Sequence, residues 1–185
     1  GKFSMVKFAQ LKTLAKNTVG RSDAFLLKQM EITIDIENQL DAKIDEIESQ
    51  ILECIRALNP PILTIPGIGE LTAAIILSEY GNINKFENPA QLLSFAGLEP
   101  GYYQSGLAEH QGHMVKHGSS HLRYALMNAC LPLITYEPVF AEYYAKKRAE
   151  GKPHRVALTH VAKKLLRVIF TLQTKNISYD PTLIR

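Results

Sequence analysis

The stretch ILTIPGIGELTAAIILSEYG, residues 62–81, has clear local signals for a helix and for the turn before it. An apolar lead ends at the turn Gly67-Ile68-Gly69, and the residues after it predict a helix over 70–80 that stops at Gly81. The pattern is typical of two helices joined by a tight glycine turn. The flanking segments also predict helices, and no strand pair with clear alternation is visible. The sequence therefore predicts an all-α fold.

The segment upstream has the pattern of a coiled coil. Residues 22–58 predict one long helix, capped by Ser22 or Asp23 and ended by Asn59-Pro60-Pro61. Eight of its ten heptad positions are apolar; the ten are Leu26, Met30, Thr33, Glu37, Leu40, Ile44, Ile47, Ile51, Cys54 and Leu58. A stripe of this length needs a partner, which is a second copy of the chain or another helix of the same copy. We predict a homo-oligomer formed through residues 22–58.

Downstream, apolar periodicity predicts four more helices. Asn88 and Pro89 begin one that stops near Gly97, and the others cover about 119–136, 138–149 and 155–173. Pro132 is expected to kink or end the helix that contains it.

Residues 99–118 show neither the 3.6-residue periodicity of a helix nor the two-residue alternation of a strand. They contain four glycines and one proline, and they predict an irregular loop. A structureless loop of this length in a compact domain is usually functional or disordered.

Together these elements predict four parts of the chain. They are a basic N-terminal segment (1–21), a coiled-coil-like helix (22–59), a helical domain with the glycine turn (60–176) and a tail (177–185).

The net charge of +3 hides an uneven distribution. Residues 22–58 hold nine acids against three bases, whereas residues 116–185 hold twelve bases against four acids. A basic C-terminal third suits nucleic acid, although such a surface can also be only solvated.

Several classes of protein are disfavoured by composition. No apolar run approaches the ~18 residues of a membrane span. The opening residues lack the anatomy of a signal peptide. Cys54 and Cys130 suggest neither a disulfide framework nor a zinc site. We therefore expect a protein of the reducing cytoplasm without a membrane partner.

The turn at residues 67–69 resembles the helix-hairpin-helix DNA-binding motif. In that motif the backbone N–H groups around Gly67, Ile68 and Gly69 would lie at a helix N-terminus, where the helix dipole favours a phosphate. Such a contact is independent of base sequence. A plain glycine turn between packed helices is the alternative.

Three ordered blocks extend this resemblance. They are IPGIGELTAAIILSEYG (65–81), FENPAQLLSFAGLEPGYYQSG (86–106) and VKHGSSHLRYALMNAC (115–130). Together they resemble the insertion-sequence DEDD transposases, now known as bridge-RNA-guided recombinases. The similarity covers about residues 60–175, the C-terminal transposase domain of that family, and the heptads resemble the coiled coil that precedes it.

The resemblance implies recombination of DNA strands through a serine that becomes covalently attached to DNA. It also implies a guide (bridge) RNA that specifies the target and donor sites. In the family this domain works with a ribonuclease-H-like domain that has four acidic residues, where a divalent metal, Mg²⁺, is expected. Nothing in residues 1–21 provides such a domain.

We therefore expect this chain to be the C-terminal part of a longer protein. It would bind DNA or RNA but would not catalyse alone. Its expected location is the bacterial or archaeal cytoplasm, at the nucleoid.

The resemblance also implies which serine reacts. The family pattern around Ser105-Gly106 makes Ser105 the expected nucleophile, although the residues alone favour an ordinary loop hydroxyl. Ser119 and Ser120 stand just before a helix, where N-capping is their expected role. The resemblance also places them among the expected DNA contacts, and either remains an alternative nucleophile.

Five cations are candidate phosphate contacts. Lys116 and Arg123 flank the turn before the helix at 119–136, and the resemblance implies that they bind phosphate or stabilise the transition state. An ordinary surface ion pair is the alternative for Arg123. Lys163, Lys164 and Arg167 lie on the polar face of the last helix and are predicted DNA contacts.

Two further groups have open interpretations. Tyr102 and Tyr103 either stack on bases or pack, and a tyrosine nucleophile would define another recombinase class. The histidines of this region suggest a metal site or a general base for the serine; they are His110, His113, His117 and His121. Glycines interrupt their spacing and no cysteine joins them, so we predict no metal in this chain.

Two other functions fit the same residues. One is a non-catalytic helix-hairpin-helix module for nucleic-acid binding and oligomerisation. The other is a coiled-coil oligomerisation piece whose basic C-terminal part only keeps it soluble.

Overall fold

The computed structural model describes residues 4–18, 20, 23–105, 108–114 and 117–184, with the backbone alone over 100–105, 108–114 and 183–184. The chain forms two compact units, residues 1–46 and 47–185.

The first unit consists of a short helix and most of a long one. Helix α1 spans Met5–Lys16 in the segment that the sequence marked only as basic, and Ser4 caps it. Helix α2 spans Ala24–Leu58 and continues into the second unit. The Oδ1 atom of Asp23 accepts a hydrogen bond of 2.8 Å from the N–H of Phe25, which confirms the predicted N-cap.

The described residues of the second unit form five further helices and a hairpin. The helices are α3 (Glu70–Tyr80), α4 (Pro89–Phe95), α5 (Ser120–Tyr136), α6 (Pro138–Ala149) and α7 (His154–Lys175). Short 3-10 turns lie at Pro61–Thr64, Ile83–Lys85 and Pro181–Ile184. Asn88 caps α4 by accepting from the N–H groups of Ala90 and Gln91, as the sequence predicted.

The core of this unit lies between α5 and α7. Helices α3 and α6 pack on α5, and α4 and α6 pack on α7. The side chains of Leu126 and Leu133 on α5 and of Leu165 and Ile169 on α7 are fully buried. Because this core is built from helices, the predicted all-α class is confirmed.

Helix α5 continues through Pro132 to Tyr136, so the proline does not end the helix. Its neighbours Ala129 and Leu133 are both buried in the core. Core packing on both sides of the proline keeps these residues helical although one helical hydrogen bond is lost.

Residues 99–118 depart from the prediction of an irregular loop. Strands β1 (Pro100–Ser105) and β2 (Ala108–Met114) pair antiparallel, with an irregularity near Gly101. Two residues, 106 and 107, connect them and lie outside the described part of the chain. The glycines hid the strand pattern, because they interrupt the alternation that marks a strand.

Among the described residues, no helix is both long and apolar enough to cross a membrane. Cys54 and Cys130 are both free thiols.

Candidate nucleic-acid interface

Ser105 is the last residue of β1, and its Cα lies opposite that of Ala108. Tyr102 and Tyr103 precede it on the same strand and pair with Gln111 and His110. The side chains of these residues lie outside the description, as do all atoms of Lys116. The hairpin places the predicted nucleophile next to a two-residue connection at the tip.

Residues on the chain before and after the hairpin pack into the helical body. On one side the buried Leu98 precedes β1. On the other, Gly118 has φ of +120° and packs against the carbonyl oxygen of Phe95. The N–H of Ser119 donates to the same oxygen at 2.7 Å. We call this contact between α4 and the start of α5 the α4–α5 junction.

Ser119 has the capping role that the sequence predicted. Its Oγ accepts from the N–H of Leu122 at 2.9 Å and donates to a carboxylate oxygen of Glu79 at 2.6 Å. The hydroxyl is therefore held between α5 and α3. A phosphate that approached it would meet the negative charge of Glu79.

Ser120 and Arg123 differ in their surroundings. Ser120 is exposed as the first residue of α5. Arg123 is half-buried, and its Nη1 donates to the carbonyl of Ala96 at 3.1 Å, which extends the α4–α5 junction. A guanidinium has five N–H donors, so this bond leaves others for a phosphate. The surface ion pair that was the alternative for Arg123 does not occur among the described residues.

The glycine turn that opens α3 faces the protein interior in part. Gly67 has φ of +87°, and a Cβ there would lie 2.9 Å from the carbonyl carbon and oxygen of Pro132. Ile68 is buried, at 7% exposure. Gly69 is exposed, with no atom within 4 Å of the position of a Cβ. Of the three predicted contacts, Gly69 alone faces open space.

An ion pair occupies the start of α3. Arg56 donates from Nε and Nη2 to both carboxylate oxygens of Glu70, over 2.7 to 3.0 Å. These hydrogen bonds hold the pKa of Glu70 below its ordinary value and the pKa of Arg56 above its own. Because a carboxylate already lies at this helix N-terminus, the site is less favourable for a phosphate than a bare glycine turn would be.

The three predicted cations of α7 lie on its outer face together with His160. Arg167 is exposed, whereas Lys163 and Lys164 are half-buried. Burial, followed by the charge of Arg167, lowers the pKa of Lys163, and Glu99 opposes this shift. The helix therefore brings these cations together in one row, as the spacing predicted.

Lys164 is held by aromatic rings. Its Nζ lies 5.5 Å from the ring centre of Phe140 and 5.0 Å from that of Tyr143. Burial lowers the pKa of Lys164, while Glu142 opposes this shift. Cation–π contacts of this kind fix the ammonium group on the protein surface.

Sequence reasoning missed two further cations. The Nζ atom of Lys85 lies 5.1 Å from the ring centre of Phe86 and 5.2 Å from that of Phe95, beside the α4–α5 junction. Lys147 on α6 lies 5.6 Å from the ring centre of Tyr143, on the face that also holds Lys164. Lys147 contacts a tyrosine of its own helix, whereas Lys85 contacts a ring of α4 from outside that helix.

The histidine metal site has no support in the described part of the chain. His117 and His121 are exposed, and the side chains of His110 and His113 lie outside the description. Among the described residues, no three side chains of His, Cys, Asp or Glu come together to hold a metal.

Comparison with known proteins identifies the class of this domain. Residues 59–145 match the model of the Transposase IS116/IS110/IS902 family. An uncharacterized 43.6 kDa protein of insertion element IS110 from Streptomyces coelicolor is 32% identical over 136 residues, which are 72% of this chain and 34% of that protein. Residues 59–145 are thus similar to the transposase domain of this family.

Two further relatives have names that describe an activity. The pilin gene-inverting protein of Moraxella bovis is 30% identical over 151 residues, or 79% of this chain and 46% of that protein. The transposase for insertion sequence element IS1111A from Coxiella burnetii is 28% identical over 157 residues, or 83% of this chain and 41% of that protein. The chain spans less than half the length of each of these relatives.

Proposed function

We propose that this chain is the DNA-binding and serine-nucleophile part of a transposase that mobilises an insertion sequence by DNA strand exchange. The family match over residues 59–145 is the observation that supports this proposal most strongly. The name of the Moraxella bovis relative states the inversion of a gene, which is a DNA rearrangement. The basic outer face of α7 is a positively charged surface, which suits the negatively charged backbone of DNA.

The proposed reaction is a transesterification. The Oγ atom of Ser105 attacks a phosphodiester of DNA, a phosphoserine ester forms, and one sugar hydroxyl leaves. The hydroxyl of another strand then attacks the ester, which joins the new strands and releases the serine. The cations Arg123, Lys163 and Arg167 would bind the phosphate backbone and offset the charge that develops on the phosphate.

The longer protein would supply the rest of the reaction. We propose that a guide RNA selects the sites and that a ribonuclease-H-like domain binds a divalent metal, Mg²⁺. The described residues bring no suitable set of metal ligands together, so no step within this chain is assigned to the metal. The alternative of a non-catalytic helix-hairpin-helix module has less support, because the N–H of Ile68 already donates to the carbonyl of Ile65 and Glu70 is paired with Arg56 at the start of α3.

DNA binding by this chain is expected to weaken steeply with salt. If about four phosphates are contacted, log K against log salt should have a slope of about −3 to −4. Replacing Lys163 or Arg167 by Gln should each reduce the slope by about 1. Fluorescence anisotropy with a labelled DNA duplex measures this slope.

The matched control for this experiment is Lys43→Gln. This variant loses the same charge, but Lys43 lies in the first unit and is paired with Glu46 at 2.6 Å. Its slope should equal that of the unchanged chain. Equal slopes for all of these variants would contradict the assignment of phosphate contacts to α7.

We also propose that two copies of the chain associate through α2. The heptad residues Leu40 and Ile44 are 59% and 51% exposed, although a coiled-coil stripe normally packs against a partner. Ile44→Glu should therefore convert a dimer into a monomer. Ile32→Glu is the control, because Ile32 is 49% exposed on the same helix but lies off the stripe.

Light scattering of the purified chain measures the outcome. The unchanged chain and Ile32→Glu should both have about twice the mass of one chain. A monomeric unchanged chain, or equal dissociation of both variants, would refute association through the stripe.

A further inference from the structure

Glu79 lies near the C-terminal end of α3, where its side chain is half-buried. Its carboxylate accepts a hydrogen bond from the hydroxyl of Ser119 at 2.6 Å, the length of a bond between a hydroxyl and a charged carboxylate. No lysine or arginine in the described part of the chain forms an ion pair with Glu79. The hydrogen bond to Ser119 is therefore the polar contact that fixes this carboxylate.

Ser119 joins Glu79 to two other helices. Its N–H donates to the carbonyl of Phe95, the last residue of α4, at 2.7 Å, and its Oγ accepts from the N–H of Leu122 in α5 at 2.9 Å. The hydroxyl has one hydrogen to donate, and Glu79 accepts it. Two hydrogen bonds thus fix the side-chain torsion of Ser119. Without Glu79 only the bond from Leu122 would remain.

The first turn of α5 also determines where Arg123 lies. The N–H of Arg123 donates to the carbonyl of Ser119 at 3.2 Å, and its Nη1 donates to the carbonyl of Ala96 at 3.1 Å. Arg123 is one of the cations that the proposed function places on the reacting phosphate. Because Ser119 begins this turn, a change in its side-chain bonds alters the position of the guanidinium.

The bond between Glu79 and Ser119 is not needed to bring α3 and α5 together. The two helices pack through an apolar core in which Ile76 of α3 and Leu122 and Leu126 of α5 are fully buried. A half-buried carboxylate without a cation also loses part of its hydration, which opposes folding. The bond therefore contributes less to the assembly of the helices than to the orientation of the start of α5.

We propose that Glu79 is a positioning residue for DNA strand exchange. Through the hydroxyl of Ser119 it holds the first turn of α5, and with that turn Arg123, in the orientation that binds the reacting phosphate. The inference rests on the proposed function and adds to it a residue that acts only through another side chain.

The first experiment compares Glu79→Ala with Glu79→Gln in the longer protein and measures the rate of strand exchange at saturating DNA. Alanine offers no acceptor to Ser119, so the rate should fall about ten- to a hundredfold, as when a reacting group is displaced by about 1 Å. The amide oxygen of glutamine still accepts the hydroxyl hydrogen, so that variant should stay within about threefold of the unchanged protein. The affinity for a DNA duplex should change by less than about threefold in both, because the cations themselves remain.

The matched control is Glu87→Ala, which removes another carboxylate that accepts a hydrogen bond from a side chain. The Oε2 atom of Glu87 accepts from the Nε2 of Gln91 at 3.1 Å, but these residues are only four positions apart at the start of α4. The rate of this variant should equal that of the unchanged protein. An unaltered rate in Glu79→Ala, or a rate as low in Glu79→Gln as in Glu79→Ala, would overturn the inference.

A second comparison tests whether Glu79 acts through Ser119. Ser119→Ala should slow strand exchange by a factor similar to that of Glu79→Ala, and the double variant should be less than about twofold slower still, because both changes remove the same bond. Losses that multiply would mean that the two residues act independently. If Ser119→Ala abolishes strand exchange, Ser119 is itself the nucleophile and Glu79 its base. Either result would overturn the positioning role.

A third measurement separates this inference from the proposed function. Amide hydrogen–deuterium exchange of this chain, followed by NMR at the N–H groups of Leu122 and Arg123, requires no DNA. Both groups should exchange at least about fivefold faster in Glu79→Ala and less than about twofold faster in Glu79→Gln. An unchanged longer protein that joins no DNA refutes the proposed function. An active longer protein with the same amide protection in Glu79→Ala as in the unchanged chain refutes the inference alone.

Discussion

Ser105→Ala in the longer protein is expected to abolish recombination while DNA binding persists. The substitution removes the oxygen that forms the bond to phosphorus, and alanine offers no replacement nucleophile. The loss should be about a thousandfold or more, as expected when a group that forms a covalent intermediate is removed. Because Ser105 is a strand residue paired with Ala108, alanine is compatible with its backbone conformation.

The measurement is the number of joined DNA products, counted by quantitative PCR after donor and target plasmids are mixed in cells. Anisotropy with the purified variant checks that DNA affinity stays within about twofold of the unchanged protein. The control is Ser78→Ala, which removes an exposed hydroxyl bonded to the carbonyl of Ile75 on α3. This variant should recombine normally.

Two other serines test the identity of the nucleophile. Ser119→Ala should cost about 1 kcal/mol of stability, because its hydroxyl caps α5 and bonds Glu79. Ser120→Ala should leave recombination intact, and its largest expected effect is weaker DNA binding. If recombination survives in Ser105→Ala and is abolished in Ser120→Ala, the nucleophile is Ser120 and the present assignment is wrong.

The parts of the fold that local physics controls were predictable from the sequence. Asp23, Asn88 and Ser119 cap helices where short polar side chains precede apolar periodicity. Glycine ends α3 at the expected residue, Gly81. These features depend on residues two to four positions apart, so one sequence contains the whole signal.

The site was less predictable because its contacts join distant residues. The bond between Glu79 and Ser119 links positions 40 residues apart, and nothing in the local pattern around either residue indicates it. The ion pair between Arg56 and Glu70 likewise joins positions 14 residues apart and places a carboxylate beside a predicted phosphate site. The contact of Lys164 on α7 with the ring of Tyr143 on α6 depends on how the two helices pack, which periodicity alone does not specify.

The hairpin was missed for a different reason. Sequence rules identify a strand by alternation between apolar and polar residues, and β2 reads AEHQGHM, with few apolar residues. Its partner β1 contains adjacent tyrosines, which favour a strand but do not alternate. The pairing of these two segments therefore becomes visible only in the structure.

Gly118→Ala is expected to destabilise the second unit by about 3 to 5 kcal/mol. A residue with φ of +120° is strained in any L-amino acid, at a cost of about 1 to 3 kcal/mol. The added Cβ would also collide with the carbonyl oxygen of Phe95 and lie 2.9 Å from that of Ser94. Both oxygens belong to backbone, so α4 or the start of α5 must move.

Two glycine variants separate the contributions of strain and collision. Gly81 has φ of +63° and no atom within 4 Å of the position of a Cβ. Gly81→Ala should therefore show the cost of backbone strain alone. Gly69→Ala has neither problem and should change stability by less than about 1 kcal/mol. Urea denaturation of the three variants measures the free energy of unfolding.

The same variant connects stability with function, because Gly118 lies between the hairpin and the helix that begins at Ser120. If the backbone at the α4–α5 junction must move to accommodate the Cβ, two sets of contacts move with it. They are the capping bonds of Ser119 and the contact of Arg123 with Ala96. Gly118→Ala in the longer protein should therefore lose recombination even at temperatures where it remains folded. If Gly118→Ala lowers the free energy of unfolding no more than Gly81→Ala does, the α4–α5 junction rearranges without a measurable cost. The junction would then not determine the position of the hairpin.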